Sequence, residues 1–387
     1  MANTFLSRSN SSGTSTQKGT ISVWIKGSEE PSGNNQTTLA CWGNANNHGA
    51  LIWNGGDKID AFDYQSGYAS QLQTNALLRD SSAWYHIVYA WDTTLSTAND
   101  RQKIYINGIE QTYSTRTNYS TNAATSWNAN SYSMRVGGLN SSSYFNGLMS
   151  HIHFIDGIAY APTLFGETDS TTGQWKIKTS PSVTYGNNGF FILKDSNSVT
   201  DQSGKSNNFA VTGGTLTKTE DSPSNVFCTF NTLNKSQSNL TLTNGSTTLT
   251  STASGWFGSC GTLGFQKGFA TYFEAKAKTI VYALTWGLSR IGEGTNGTPL
   301  INPPENDSGY DYMTRPTSAN TVCYKGANQN VTVSAIAAGD ILSCLISASG
   351  VVKFYINDSL THTYSQVLLD NSFYFPVAGA NGSSQGW

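Results

Sequence analysis

Two short segments, Trp84-Tyr-His-Ile-Val-Tyr-Ala-Trp91 and Lys103-Ile-Tyr-Ile-Asn107-Gly108, decide the fold of this chain. Both are rich in β-branched and aromatic residues, a composition that is typical of β-strands. The Asn107-Gly108 pair suits a type I′ turn, because both residues tolerate a positive φ. The stretch therefore predicts two adjacent antiparallel strands that end in a tight turn.

The same kind of pattern recurs along the chain, whereas helical periodicity is nearly absent. Further strands are predicted at residues 20–26, 148–155, 269–275, 281–288, 340–346 and 351–356. Short strands separated by Gly-, Asn-, Ser- and Thr-rich turns are typical of β-sandwiches. The low-complexity stretch 232–254 is predicted to be an exposed loop or an edge strand. The predicted fold class is all-β.

A sequence pattern that occurs twice indicates two domains with similar folds. Lys353-Phe-Tyr-Ile-Asn357-Asp358 repeats the pattern of Lys103 to Gly108, and each copy follows a long strand and a short polar loop. Two copies are too few for a repeat array, so two separate jelly-roll sandwiches are predicted, at residues 1–160 and 226–387. Residues 161–225 contain aromatic residues that a flexible linker would lack. They are predicted to form a loop-rich connector packed on the first sandwich.

Charge and composition exclude several classes of protein. The 387 residues include 22 Lys and Arg against 24 Asp and Glu, for a net charge of −2. Without a basic excess, no nucleic-acid partner is expected. Aromatic residues make up 12 %, too many for a disordered chain. We expect a soluble chain without membrane insertion or an export signal, because no apolar run approaches a membrane span and the first eight residues lack a secretory pattern.

The cysteines are odd in number and widely scattered. They are Cys41, Cys228, Cys260, Cys323 and Cys344. None of them forms a CxxC pair or a Cys/His spacing typical of a metal site. The sequence therefore predicts reduced and mostly buried thiols.

Ordered landmarks make the first 225 residues similar to a known family. Segments that resemble a concanavalin A-like (laminin G-like) sandwich are Phe5-Leu-Ser-Arg8, Ile21-Ser-Val-Trp-Ile-Lys26, residues 84–94 and 103–108, Phe145-Asn-Gly-Leu148 and residues 152–157. The following series resembles marine bacteriophage (cyanophage-type) virion proteins: Phe165-Gly-Glu167, residues 172–176, 185–190 and 201–209, and Asp221-Ser-Pro-Ser-Asn225. A SPRY-like sandwich often follows there, and Tyr272-Phe-Glu274, Gly339-Asp340 and residues 353–357 fit it.

The resemblance implies a non-catalytic virion structural protein: a capsid decoration, a head-fibre or a tail-fibre component. Its partners would be other capsid or tail proteins, further copies of itself and host surface polysaccharide. Such proteins assemble in the host cytoplasm and face the particle exterior, which would account for polar loops without an export signal. The alternatives are a phage-borne polysaccharide depolymerase or glycosidase, a soluble lectin, and an intracellular SPRY-type adaptor.

The sequence offers little support for catalysis. Retaining glycosidases need two carboxyl groups about 5 Å apart, usually alternating along one strand. Glu167-Thr-Asp169 is the nearest match, but Thr172 stands where a later carboxylate is required, and Glu274 is alone on its strand. A Gly-x-Ser-x-Gly nucleophile elbow is also missing. The chain is predicted not to be an enzyme.

Metal and cofactor sites are weakly indicated. His86 is predicted to be a sheet-surface histidine. His151 and His153 share one strand face at i and i+2, a spacing that suits a metal, but a third ligand is not visible. We therefore predict structural roles for them and no cofactor. Three aspartates leave calcium at the sandwich rim as an open alternative: Asp60, Asp63 and Asp92.

Sugar binding needs an aromatic face for the pyranose C–H surface and planar polar groups for its hydroxyls. Candidates in the first sandwich are Trp42, Asn47, His48, Trp53, Asp63, Tyr64, Tyr68, Trp127, Tyr132 and Tyr144. Candidates in the second are Tyr310, Asp311, Tyr312, Arg315 and Tyr324. Trp24, Trp84 and Trp91 fit strand patterns and are predicted to be core residues.

Overall fold

The computed structural model describes residues 4–28, 31, 37–44, 46–80, 82–130, 132–139, 143–194, 197–235, 239–281, 283–290, 312–315, 321–325, 327–384 and 386–387. The chain divides into two compact units, Met1–Val226 and Phe227–Trp387. Helical structure within the described ranges consists of two 3-10 turns, Ala98–Asp100 and Pro162–Leu164. No helix in this part of the chain is long and apolar enough to cross a membrane.

The first unit is built from two antiparallel sheets. In chain order its strands are β1 (Phe5–Ser9), β2 (Lys18–Gly27), β3 (Thr37–Gly43), β4 (Asn47–Trp53), β5 (Ile59–Gln65), β6 (Tyr68–Thr74), β7 (Tyr85–Asp92), β8 (Gln102–Ile106), β9 (Ile109–Glu110), β10 (Tyr113–Thr117), β11 (Ser133–Val136), β12 (Gly147–Asp156), β13 (Gly166–Thr168), β14 (Trp175–Ile177), β15 (Phe190–Ile192) and β16 (Ala210–Thr212). One sheet has the order β10-β6-β5-β4-β3-β11-β1-β16, and the other β15-β12-β2-β7-β8-β9. The short hairpin β13–β14 stands apart from both sheets.

The core of this unit lies between the inner faces of the two sheets. Along β2, Ile21, Val23 and Ile25 alternate toward this core, together with Trp91 from β7 and Trp42 from β3. Burial of each such side chain stabilises the fold by about 1.5–3 kcal/mol. Alternate residues of each strand point into the space between the two sheets, as is typical of a sandwich. The alternation of apolar residues in the sequence therefore corresponds to the residues that form the core.

Residues 161–225 are integrated into the first unit. Strand β15 pairs with β12 at one sheet edge, and β16 pairs with β1 at the edge of the other sheet. The Arg8 guanidinium donates to the carbonyl oxygen of Asn188 at 2.8 Å and to Asn207 Oδ1 at 2.9 Å. The segment therefore extends both sheets and is tied to them by hydrogen bonds.

The second unit is a smaller sandwich. Its strands are β17 (Phe230–Lys235), β18 (Leu240–Thr243), β19 (Thr248–Ser251), β20 (Trp256–Gly261), β21 (Thr271–Lys276), β22 (Ala283–Arg290), β23 (Tyr312–Arg315), β24 (Thr321–Tyr324), β25 (Ala327–Thr332), β26 (Ile341–Ile346), β27 (Val351–Ile356), β28 (Ser359–Val367) and β29 (Tyr374–Asn381). A seven-stranded sheet has the order β17-β20-β29-β22-β23-β24-β25, and a four-stranded sheet the order β21-β26-β27-β28. Their core includes Trp286, Phe354 and Tyr374.

The predicted fold class, all-β with β-sandwich architecture, is confirmed by these sheets. The expectation for residues 232–254 was wrong in part, because the hairpin β18–β19 buries Leu240, Leu242 and Leu249 in the second core. Thr residues dominate this stretch and conceal the alternating leucines. All five cysteines are free, and four of them are buried, as predicted.

Candidate functional site

A row of three side chains runs along the outer face of the eight-stranded sheet. On β5, Ile59 and Ala61 point into the core, so Asp60, Phe62 and Tyr64 point outward. We call these three side chains the β5 row. Its ends, Asp60 and Tyr64, are four residue steps apart along an extended strand, which is a distance of about 13 Å.

Aromatic rings gather at one end of the β5 row. The His48 ring lies 5.6 Å from Phe62 and 5.8 Å from Tyr64 between centroids. Tyr68 packs edge-on against both Phe62 and Tyr64, at 5.6 Å each, and stays 55 % exposed. We call His48, Phe62, Tyr64 and Tyr68 the aromatic cluster. An exposed ring on a rigid aromatic base offers a flat apolar face to a ligand.

Asp60 marks the other end of the row. Its side chain is flanked by Ile52 on β4 and Gln73 on β6. Asp60 Oδ2 accepts hydrogen bonds from Gln71 Nε2 at 3.0 Å and Gln73 Nε2 at 3.5 Å, whereas Asp60 Oδ1 has no partner. Burial raises the pKa of Asp60 to about 6, against the two amide hydrogen bonds, which lower it. The group is a desolvated and half-satisfied carboxyl.

His48 is held by the hairpin between β3 and β4. In its turn, Asn44 Oδ1 accepts the backbone N–H groups of Asn46 and Asn47 at 2.9 Å each, which fixes the start of β4. Burial lowers the pKa of His48, while the Asn44 backbone and the Asp63 charge act in the opposite direction. His48 Nδ1 is buried and has no hydrogen-bond partner.

The geometry brings together only part of the predicted sugar-binding set. Asn47, His48, Tyr64 and Tyr68 lie at one end of this face, with Asn47 opposite Gln65 at the start of β4. Aromatic rings, planar amides and a carboxyl are the groups that hold carbohydrates. The outer face around the β5 row is therefore the candidate binding site.

The three predicted binding tryptophans of the first unit are core residues, so that prediction was wrong for them. Trp42, Trp53 and Trp127 are at most 1 % exposed. Trp42 packs 5.0 Å from Phe154, and the Trp127 ring fills the space where Gly49 has no Cβ. Strand parity turns Trp42 and Trp53 inward, and Trp127 packs into the core from the turn that precedes β11, so none of the three presents a face to a ligand.

Asp63 has a structural role instead of the predicted binding role. Its Oδ2 accepts Tyr119 Oη at 3.1 Å and the Ser126 backbone N–H at 2.8 Å, and it is fully buried. Because Asp60 and Asp63 are three residues apart on one strand, they occupy opposite faces of the sheet. Asp92 lies on the other sheet, 3.0 Å from Lys18.

These three aspartates therefore do not converge on a calcium ion. Elsewhere in the described residues, too, no group of three or more His, Cys, Asp or Glu side chains is arranged to hold a metal.

The remaining candidates lie elsewhere. Tyr132 packs against the first core, and Tyr144 lies 6.2 Å from Phe5, near β1. In the second unit, Tyr324 is half-buried against the second core. Tyr312 and Arg315 belong to β23, of which the structure describes the strand but not these side chains. Tyr310 and Asp311 lie outside the described residues.

His86 lies on the outer sheet surface as predicted, but it is fully buried there. Its ring is stacked between Trp24, at 4.7 Å, and Trp175, at 6.0 Å. Trp175 Nε1 donates to His86 Nδ1 at 3.0 Å, which leaves Nε2 to donate to Ser22 Oγ at 2.8 Å. Burial lowers the pKa of His86 to about 3, so the ring is a neutral part of the fold.

His151 and His153 also pack within the protein. Strand β12 is irregular between Ser150 and His153, and His151 has a φ of 47°. Both rings lie against Phe191, and His153 Nδ1 is hydrogen-bonded to Tyr185 Oη at 2.9 Å. These contacts fit the structural roles expected for both residues.

Several residues of the site were missed as binding groups by the sequence analysis. Phe62, Gln71 and Gln73 were not singled out, and Asp60 was considered only for calcium. The signal was available in Asp60-Ala-Phe62-Asp-Tyr64, where the period of two separates an outward row from the inward Asp63.

Several solved structures are similar to the chain. The SPRY domain of human HERC1 has 16 % identity, with 41 % of this chain and 94 % of that chain covered, at a TM-score of 0.34. Mouse laminin alpha1 chain domains LG4-5 have 10 % identity, with 100 % of this chain and 84 % of that chain covered, at a TM-score of 0.33. Likenesses this weak do not assign a function.

No curated protein matches the chain. The expected SPRY-like neighbours are nonetheless present among the similar structures. The sequence of residues 3–161, which includes the whole candidate site, matches the family described as the concanavalin A-like lectin/glucanases superfamily.

Proposed function

We propose that this protein is a non-catalytic glycan-binding protein that holds its ligand on the outer face of the eight-stranded sheet. The observation that carries the proposal is the aromatic cluster, in which the ring of Tyr68 is 55 % exposed on top of Phe62 and Tyr64, at the same end of the sheet face as Asn47. Such rings stack on the apolar face of a pyranose, and amides and carboxylates bind its hydroxyls. The family match of residues 3–161 includes lectins by its description, which supports the same class of ligand.

The neighbours of Asp60 favour binding over hydrolysis. A glycosidase needs a second carboxyl group about 5–9.5 Å from the first. The side chains that flank Asp60 on the neighbouring strands are Ile52 and Gln73, and Gln71 is the other hydrogen-bond partner. Amides at these positions can hold hydroxyl groups but cannot serve as general acid or nucleophile.

The biological setting we propose is a virion. The ordered landmarks of residues 1–225 resemble cyanophage-type structural proteins, which supports a role as a capsid decoration or as a head- or tail-fibre component that touches host surface polysaccharide. Weak binding at each site would suffice, because many copies on one particle multiply the avidity.

Glycan binding is tested by a matched pair of variants. Tyr68→Ala removes a ring that is 55 % exposed in the aromatic cluster, and Tyr272→Ala removes one that is 53 % exposed on β21 of the second unit. On an array of neutral and acidic glycans, we expect binding by the wild type and by Tyr272→Ala and loss of binding by Tyr68→Ala. An array on which the wild type binds nothing would overturn the proposal.

The virion setting is tested separately, by quantitative mass spectrometry of gradient-purified particles from the source. Copies nearly equal in number to the major shell protein would indicate decoration, and a small fixed number would indicate a fibre. Absence of the chain from particles would contradict the virion role and leave a soluble lectin.

A further inference from the structure

We infer that the glycan lies across the strands of the eight-stranded sheet, from Tyr68 at one end to a second subsite beside Ser9 and Ser133 at the other. This inference rests on the proposed function. It adds the class and direction of the ligand, a linear oligosaccharide of several units, and a subsite that is formed in part by residues 206–210 of the connector.

One row of residues crosses six strands at the end of this sheet face. Tyr64 of β5 points outward, and residues directly opposite each other in antiparallel strands point to the same face. The register therefore gives a row in the order Tyr68 (β6), Tyr64 (β5), His48 (β4), Gly43 (β3), Ser133 (β11) and Ser9 (β1). We call these six residues the rim row. Five strand spacings separate its ends, a distance of about 24 Å that several linked sugar units can span.

The rim row is accessible along its whole length. Tyr68 and Ser9 are exposed, and the four residues between them are half-buried. The next outward-facing residues of β3, β4 and β5 are instead at most 7 % exposed, namely Cys41, Ala50 and Phe62. A ligand on these three strands is therefore confined to the rim row. Gly43, in the middle, has no side chain that would stand in its way.

A cavity of about 510 Å³ lies at the Ser9 end of the rim row. Its walls come from residues 7–9 of β1, Ser133 of β11 and residues 206–210 of the connector. Within the described residues, the hydroxyl groups of Ser9 and Ser133 have no hydrogen-bond partner. A serine hydroxyl can both donate and accept, as the hydroxyls of a sugar do. The cavity is therefore suited to the end of a glycan that begins at Tyr68.

The connector wall of this cavity is fixed before a ligand binds. Asp201 Oδ2 accepts the backbone N–H of Asn207 at 2.8 Å, and Asn208 Oδ1 accepts the backbone N–H of Asp201 at 2.8 Å. Asn208 is exposed, so its amide Nδ2 can donate to a sugar hydroxyl. A fixed wall loses little conformational freedom on binding. Residues 206–210 lie outside the stretch that matches the lectin family, so the second subsite is a feature of this chain and not of the family match.

The test measures the affinity of the full chain for oligomers of one to six units. The oligomers are those of each glycan that the wild type binds on the array, with glucose oligomers as a reference series. We expect wild-type affinity to rise with length until the rim row is filled. Ser133→Ile places a β-branched side chain, which suits a strand, in the cavity beside Ser9. It should weaken binding of the longest oligomers about tenfold and leave binding of one or two units at Tyr68 within about twofold.

A second variant and a control accompany this test. Ser133→Ala removes only the hydroxyl and should weaken binding of the same long oligomers about threefold. Ser365→Ile makes the matched change at an exposed serine of β28 in the second unit and should bind like the wild type. Thermal unfolding checks that each variant is folded. If Ser133→Ile is not folded, Ser133→Ala decides the outcome.

The outcomes separate this inference from the proposed function. If Tyr68→Ala abolishes binding while both Ser133 variants bind long oligomers within about twofold of the wild type, the inference is overturned and the proposed function stands. Equal wild-type affinity for one unit and six units would also overturn it. So would an equal loss for short and long oligomers in Ser133→Ile, because the change would then act at Tyr68. If the wild type binds no glycan on the array, both fall together.

Discussion

Two hairpins of this molecule share a local design. Asn107 and Gly108 have φ values of 48° and 81°, and Asn357 and Asp358 have 47° and 63°, so both turns are left-handed. In the first hairpin, Asn107 Oδ1 accepts the backbone N–H of His86 at 2.8 Å. In the second, Asn357 Oδ1 accepts the N–H of Ile341 at 2.9 Å, so the local sequence has produced the same geometry twice.

The surroundings of the two hairpins differ. Behind the first, the outer sheet face is covered: Trp175 packs on Gly108 and stacks on a fully buried His86. On the four-stranded sheet of the second, Leu345 is 37 % and Tyr272 is 53 % exposed. Among the described residues, a similar strand pattern thus yields a buried layer in the first unit, where the connector folds over the sheet, and exposed side chains in the second.

The largest effect on stability is expected when the ion pair that ties the connector to the first unit is broken. Lys26 Nζ lies 2.8 Å from Asp221 Oδ2, both side chains are fully buried, and Trp84 Nε1 donates to Asp221 Oδ1 at 3.3 Å. Lys26→Met leaves a buried charge unpaired and should lower the free energy of unfolding of the first unit by about 3–5 kcal/mol. Hydrogen exchange of the full chain at increasing urea concentrations, followed on peptides of the first unit, measures this change in the free energy of unfolding.

The control for this anchor is Lys353→Met, on the strand of the open sheet that matches β8. We expect a change within about 0.5 kcal/mol there. The double variant Lys26→Met with Asp221→Leu should recover much of the loss, since it removes both buried charges. A small effect of Lys26→Met alone would show that the anchor contributes little to the cover.

Trp175→Ala should uncover His86, at a cost of about 2–3 kcal/mol for a half-buried ring. In the wild type, His86 stays neutral to about pH 3 while the unfolded chain binds this proton near pH 6.5. The contribution of His86 to stability therefore falls as the pH drops through that window, and the uncovered variant should lose this contribution while that of the buried His153 remains. Urea titrations at pH 7 and pH 4 compare the wild type with Trp175→Ala. An equal difference in unfolding free energy between the two pH values in both proteins would contradict the role of Trp175 in burying His86.

A reciprocal swap at the turns tests the comparison directly. A Cβ at Gly108 would lie 2.5 Å from the Trp175 ring, so Gly108→Asp should destabilise the first unit by about 1–3 kcal/mol. Asp358→Gly removes the strain of a non-glycine residue in the left-handed conformation, on a turn that no ring covers. It should change stability by at most about 1 kcal/mol. Equal effects in thermal unfolding would mean that Trp175 does not distinguish the two turns.

The smallest effect is expected on the open face. Leu345→Thr replaces a partly exposed leucine on a strand with another β-former, and we expect a change within about 0.5 kcal/mol in urea unfolding. A loss larger than 2 kcal/mol would show that this face is covered in solution, for example by another copy of the chain.

Strand positions were more predictable than binding roles. The hairpin at residues 84–108 was evident because its alternation and turn chemistry are local, and the structure gives β7 and β8 there. Strands β3 to β6 were harder to recognise, since Gly, Asn and Ser dilute their apolar residues. His48, Tyr64 and Tyr68 were named from composition, but the same reasoning also named Trp42 and Trp53, which are buried.

The sequence by itself determined the hairpin at residues 84–108, the two left-handed turns and the parity that separates Asp60 from Asp63, because each depends on neighbours within a few residues. Tertiary structure decided which faces are covered. Trp175 meets His86 across 89 residues of chain, and Lys26 meets Asp221 across 195. Burial keeps His86 neutral and leaves Asp60 Oδ1 without a hydrogen-bond partner. Because this burial is produced by segments that are distant in sequence, no local sequence pattern could predict it.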